Sequence, residues 1–181
     1  MEFDPRAYGE EVAAILAMDG DGKRLMPLAG GRRSSEQAYR ALQATSAGRL
    51  FRGAHAPEAA MSGLYLYFSC LDEAHEIAQE VNTVEGSFWH AIMHRQEPDA
   101  GNSGYWFNRV GSHPIFPALR DAAAAIGVDF GSRWNPHMFI DFCERARRQP
   151  GSGIERQALE VQRAEWQLLF DHCARTSATA P

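Results

Sequence analysis

The residues best suited to chemistry in this 181-residue chain are histidines and carboxylates of its middle third. His75 and Glu76 are adjacent, and His90, His94 and Glu97 follow at i, i+4 and i+7 of a second segment. On a helix that spacing sets the three along one stripe. Two imidazoles on successive turns can share a divalent metal ion such as zinc, iron, manganese or nickel. His75 from a facing helix, with Glu97 or Glu76, would complete the ligand shell. The same groups can also work without a metal, because an imidazole oriented by Glu76 or Glu97 is suited to general acid–base work, with His75, Glu76, His90 and His94 as the catalytic set. Downstream, Arg95, Asp99, Asn102, Tyr105, Trp106, Arg109 and His113 offer the parts of a small-molecule pocket. Arginine forks would hold an anionic ligand and aromatic rings would wall it. A third reading is purely structural: buried polar groups satisfy one another and fix helix packing.

Several chemistries are excluded by what the spacing lacks. HAIMH carries no glutamate at the second position of HExxH, so the metalloprotease base has no place. The repeated Glu-x-x-His of di-iron bundles is missing as well. Cys70, Cys143 and Cys173 are odd in number, widely spaced and flanked by aromatics, as befits buried small hydrophobes rather than a disulfide framework or a nucleophile. His55, His137 and His172 read as incidental or capping residues: one precedes Pro57, one sits in a first helical turn and one lies near the C-terminus. A formal net charge of -5 and short basic patches at Arg32-Arg33 and Arg145–Arg148 argue against nucleic-acid binding. No apolar run approaches the ~20 residues that span a bilayer, and the acidic N-terminus lacks a signal-peptide pattern, so a soluble cytoplasmic protein is expected.

The elements that must position these residues follow from periodicity. Apolar residues recur at Met61, Leu64, Tyr65, Phe68 and Leu71, which predicts one long helix over residues 57–81 with His75 on its buried face. Gly63 inside it signals close packing. A second helix over 85–96 carries Phe88, Trp89, Ile92 and Met93 beside the histidine stripe, and the short break between the two predicts a helical hairpin. A helix capped by Asn102 or Ser103 follows over 102–110. Asn135-Pro136 opens another, and a last one runs over 154–173. Strands of alternating pattern are nowhere convincing. The expectation is an all-α, single-domain helical bundle or stack of hairpins over residues 1–175, with about six to seven helices and a flexible tail at 176–181.

The block EGSFWHAIMHRQEPDAGNSGYWFNRVGSHPIFP, with CLDEAHEIAQ before it, resembles a family of small soluble bacterial proteins that brings no established activity. Its members share a histidine–glutamate pair, a YWHAIxHRxEPD-like motif and a YWFRRVGxHP-like continuation. Here Phe88 stands for the motif tyrosine, and Asn108 for the arginine before the RVG stretch, leaving Arg109 as the single arginine there. The likeness covers residues 60–117 with specific motifs and extends loosely through FIDFCERARRQPG and EWQLLFDHC. It implies a shared polar centre around His75, Glu76, His90 and His94, and no particular substrate, cofactor or reaction.

Overall fold

Among the described residues, 3–176 of this computed structural model, ten α-helices follow one another. They are α1 (Glu10–Leu16), α2 (Glu36–Gln43), α3 (Ala47–Leu50), α4 (Pro57–Tyr67), α5 (Leu71–Glu80), α6 (Val84–Gln96), α7 (Ala100–Val110), α8 (Phe116–Ile126), α9 (Pro136–Arg147) and α10 (Gly153–Ala174). Short 3-10 turns at Pro5–Tyr8 and Ala17–Gly22 flank α1. The sole β pairing among the described residues is an isolated antiparallel bridge between Ala54 and Thr176. The all-α expectation holds, and the count of six to seven helices does not.

The physical reason for the larger count is clearest at residues 68–70, where the expected 57–81 helix divides into α4 and α5. Ser69 takes the left-handed conformation, φ 59°. The Cys70 amide donates to the Tyr65 carbonyl at 2.9 Å and the Ser69 amide to the Leu66 carbonyl at 3.0 Å. This is the paired bonding by which a left-handed residue closes a helix, a position usually held by glycine. A serine there leaves no trace in a hydrophobic pattern. Tertiary contacts hold the break: the Ser34 amide donates to the Phe68 carbonyl at 2.9 Å, and Arg24 donates to the Ser69 hydroxyl. α3 adds a further helix, four residues long and too short for periodicity to reveal. Of the expected tail at 176–181, Thr176 is tied to Ala54, and residues 177–181 lie outside the described residues.

α6 is the pillar of the fold. Every residue from Gly86 to Gln96 is buried, with α4, α5 and α7 packed on it. A helix covered on all faces is ordinarily apolar all round; this one carries His90, His94, Arg95 and Gln96. Its neighbours approach closely. A Cβ built on Gly63 of α4 would lie 2.6 Å from the Trp89 ring of α6, and the Ser103 hydroxyl of α7 donates to the Ala91 carbonyl at 2.8 Å. α10 closes the core, its Trp166 indole donating to the Gly63 carbonyl at 2.8 Å while its ring stacks on Phe170. At Gly63 the helix-propensity gain of alanine is outweighed by overpacking against a rigid indole. Gly63→Ala is therefore expected to lower stability by about 1–3 kcal/mol, read as an earlier urea-unfolding midpoint; an unchanged or later midpoint would count against this close approach.

Candidate functional site

The turns at either end of α6 set the register of its polar stripe. Thr83 caps the N-terminus, its hydroxyl accepting from the Gly86 amide at 3.1 Å. At the other end, the Asp99 amide donates to the His94 carbonyl at 2.9 Å, and α7 starts at once. α5 reaches α6 through only three residues, Val81 to Thr83, so its His75 lies opposite His90 and His94. The His75 ring centroid is 4.7 Å from that of His90 and 5.4 Å from that of His94. His90 and His94 stack at 4.8 Å with a 14° interplanar angle, one turn apart. One ligand nitrogen from each of the three lies within 4.8 Å of the others.

α7 continues this column of rings. Trp106 stacks on His90 at 3.9 Å, the Arg109 guanidinium lies 5.1 Å from the Trp106 centroid, and exposed Tyr105 meets Trp106 edge-on. Glu97 is exposed, with a carboxylate oxygen 3.1 Å from His94 Nδ1. Burial, with the neighbouring imidazoles, pushes His90 down to about 4. Burial also pulls His94 below its ordinary value, against the opposing pull of Glu97. His90 Nδ1 is buried with no hydrogen-bond partner. Burial thus favours the neutral form of His90 and His94.

Other expected site residues lie elsewhere or carry structural bonds. Glu76 is exposed on α5. Asp99 caps α7, accepting from the Asn102 amide at 3.0 Å and from the Asn102 side chain at 2.7 Å, so the cap lies three residues before the expected start. Arg95 points away from the histidines into the protein. It forms an ion pair with Glu165 of α10, both side chains 1% exposed, beneath the Phe139 ring. Burial opposes the Arg95 charge and Glu165 more than offsets it, so the guanidinium stays protonated. Asn108, where the resembling motif has arginine, bonds to His137 across the α7–α9 contact at 3.0 Å. All three cysteines are buried, and burial pushes the Cys70 and Cys143 thiols up to about 11, leaving them poor nucleophiles at neutral pH.

His113 belongs to a different neighbourhood. It lines a cleft of about 790 Å³ with Phe116, Arg120, Trp134 and Met138. Its ring stands edge-on to Phe88 at 5.1 Å and to His172 at 4.8 Å. His172 and His55 share a carboxylate, since one oxygen of Glu85 lies 3.4 Å from Nε2 of each. These three residues are a second group able to hold a metal ion. Sequence reasoning missed it because its members lie 30 and 87 positions apart, a separation that no motif spans. One weak sign was that Glu85 opens the helix bearing the first histidine pair.

Two expectations follow from this electrostatics. Removing Glu165 leaves Arg95 charged, buried and unpaired, so Glu165→Ala is expected to destabilise by about 3–5 kcal/mol; a loss below about 1 kcal/mol in chemical denaturation would mean that water reaches the pair. The second concerns acid. Burial holds both His90 and His113 at about 4, whereas their rings in the unfolded chain titrate near 6.5. Between those values the unfolded state binds more protons, so stability is complete above about 6.5 and falls as the pH drops toward 4. Unfolding midpoints measured with chelator between pH 7 and pH 4 should fall less steeply for His90→Gln/His113→Gln than for the parent; identical slopes would remove these rings as the cause.

Compared with family models, curated proteins and solved structures, the chain gives no significant match to any of them, and the site's geometry alone carries its functional reading.

Proposed function

We propose that this protein binds a divalent transition-metal ion through His75, His90 and His94. The observation that carries the reading is the convergence of three imidazole nitrogens within 4.8 Å of one another. Ligand nitrogens ~2.0–2.1 Å from a tetrahedral ion stand about 3.3 Å apart, a spacing that modest side-chain rotation reaches. The chemistry of the donors agrees. Metal ligation needs neutral imidazole, and burial keeps His90 and His94 neutral at physiological pH. The unpartnered His90 Nδ1 is a buried polar atom that an ion would satisfy. Glu97 beside His94 Nδ1 stands where carboxylates orient a ligating histidine, which makes it a support rather than a fourth ligand.

Three protein ligands leave a coordination position for an exogenous small molecule. Arg109 and Tyr105, exposed beside Trp106, are the groups nearest in the stack to receive an anionic one. A metal-free general base is less well supported. A base poised near neutrality is the effective one, and His90 lies near 4. Under this reading the bacterial family that the motifs resemble would share the tri-histidine centre.

The test uses protein made without a polyhistidine tag, stripped with chelator and titrated with Zn2+. His90→Gln/His94→Gln is expected to lose one bound ion per chain relative to the parent. His75→Gln, at the half-buried rim, is expected to weaken one binding step by about 100-fold, the upper end of what changes around a ligand shell produce. A folded double variant that keeps the parent's full complement of Zn2+ at undiminished affinity would overturn the assignment.

A further inference from the structure

The His55–Glu85–His172 group lies on the other side of the pillar. Glu85 and His90 are five residues apart on α6, which places them ~140° around the helix and ~7.5 Å along it; His94 is ~180° from Glu85. The two clusters therefore do not share a face. Three separate segments build the second one: the loop before α4 brings His55, the first turn of α6 brings Glu85, and the last turns of α10 bring His172.

The backbone holds these segments in place. The C-terminal carbonyls of a helix lack intrahelical partners, and here the loop supplies them. The Ala56 amide donates to the Cys173 carbonyl and the His55 amide to the Arg175 carbonyl, each at 2.9 Å, next to the Ala54–Thr176 bridge. His55 is thereby docked against the end of α10, its ring 4.8 Å from that of His172. Glu85 presents a single oxygen to both rings, 3.4 Å from Nε2 of each. Burial opposes its ionisation. Hydrogen bonds from its own backbone amide, from Thr83 and from the two imidazoles outweigh that opposition and hold its carboxyl below the ordinary value.

We infer that His55, Glu85 and His172 form a second divalent transition-metal site, independent of the tri-histidine centre. Two N···O separations of 3.4 Å are long for charge-assisted hydrogen bonds, which run near ~2.7–2.9 Å. They match the ~3.3 Å edge of a tetrahedron of ligand atoms about 2.0–2.1 Å from a central ion. Two imidazoles and one carboxylate select zinc, iron, cobalt or nickel over calcium or magnesium, which prefer all-oxygen shells. His55 is 47% exposed in its side chain and Glu85 14%, so an ion has a path from solvent to the ligands. His113 adds an independent sign of a ligand. Its Nδ1 accepts from the Ile115 amide at 3.3 Å, which puts the proton of the neutral ring on Nε2. That N–H is buried without an acceptor, on a ring packed against His172. An anionic ligand of the bound ion would supply the missing acceptor.

The experiment is a Co2+ titration of chelator-stripped, tag-free protein, with bound ion counted by equilibrium dialysis and coordination followed by visible absorption. The parent is expected to bind two Co2+ per chain, and His55→Ala/His172→Gln and His90→Gln/His94→Gln one each. The single variant His55→Ala changes an exposed loop side chain and leaves the core intact; it should weaken one step by at least about 100-fold, more than changes outside the ligand shell usually do. A parent that binds one ion, lost in the His55/His172 variant and kept in the His90/His94 variant, supports this site and overturns the tri-histidine one. The converse pattern overturns this site alone. So does His55→Ala binding Co2+ like the parent, and a parent that binds no Co2+ overturns both.

Discussion

A helix buried on every face fixes how its neighbours can pack, and α6 does so in four directions. From Gly86 to Gln96 no residue is left on the surface. Arg95 is answered by Glu165 from α10, and the carbonyl of Arg95 by the Arg147 guanidinium of α9 at 3.2 Å. Ser103 of α7 meets the Ala91 carbonyl, and Gly63 of α4 makes room for Trp89. Each neighbouring helix is thus bound to α6 by a contact that allows little sliding. Buried polar networks of this kind specify one packing among many, because any other arrangement leaves a charge or donor unpaired.

The histidines obey a different rule. His90 and His94 face α5 and α7, where protein groups supply aromatic contact and little hydrogen bonding. The fold spends its acids elsewhere: Glu165 on Arg95, Asp99 on the α7 cap, and Glu76 in solvent. The outcome is a column of imidazoles beside an indole, with one carboxylate at its edge. At the opposite face a shared carboxylate faces two imidazoles. Both arrangements bring three potential ligand atoms within 4.8 Å of one another. Both are groups that could hold a metal ion, and no described helix is long and apolar enough to cross a membrane.

Much of this was legible in the sequence where the information is local. The i, i+4 spacing of His90 and His94 and the short break before α6 were enough to bring His75 opposite them. The apolar periodicity of residues 57–81 and 85–96 marked helix in both stretches, though it read α4 and α5 as one. What could not be read were the left-handed Ser69, which needs its tertiary partners to be worth forming, and the direction of Arg95. That residue shares a helix with His94 and follows it by one position, so it points about 100° away, toward an acid 70 residues distant.

The amino-acid sequence by itself determined an all-α chain with a polar stripe on one of its most apolar helices, because helical periodicity and neighbour spacing are properties of adjacent residues. Tertiary structure alone decided the number of helices, the removal of Arg95, Asp99 and Asn102 to structural work, and the meeting of His55, Glu85 and His172. Those outcomes depend on which distant groups compete for each hydrogen bond and each charge. Such competition is settled when the helices pack, over separations that the order of residues does not encode locally.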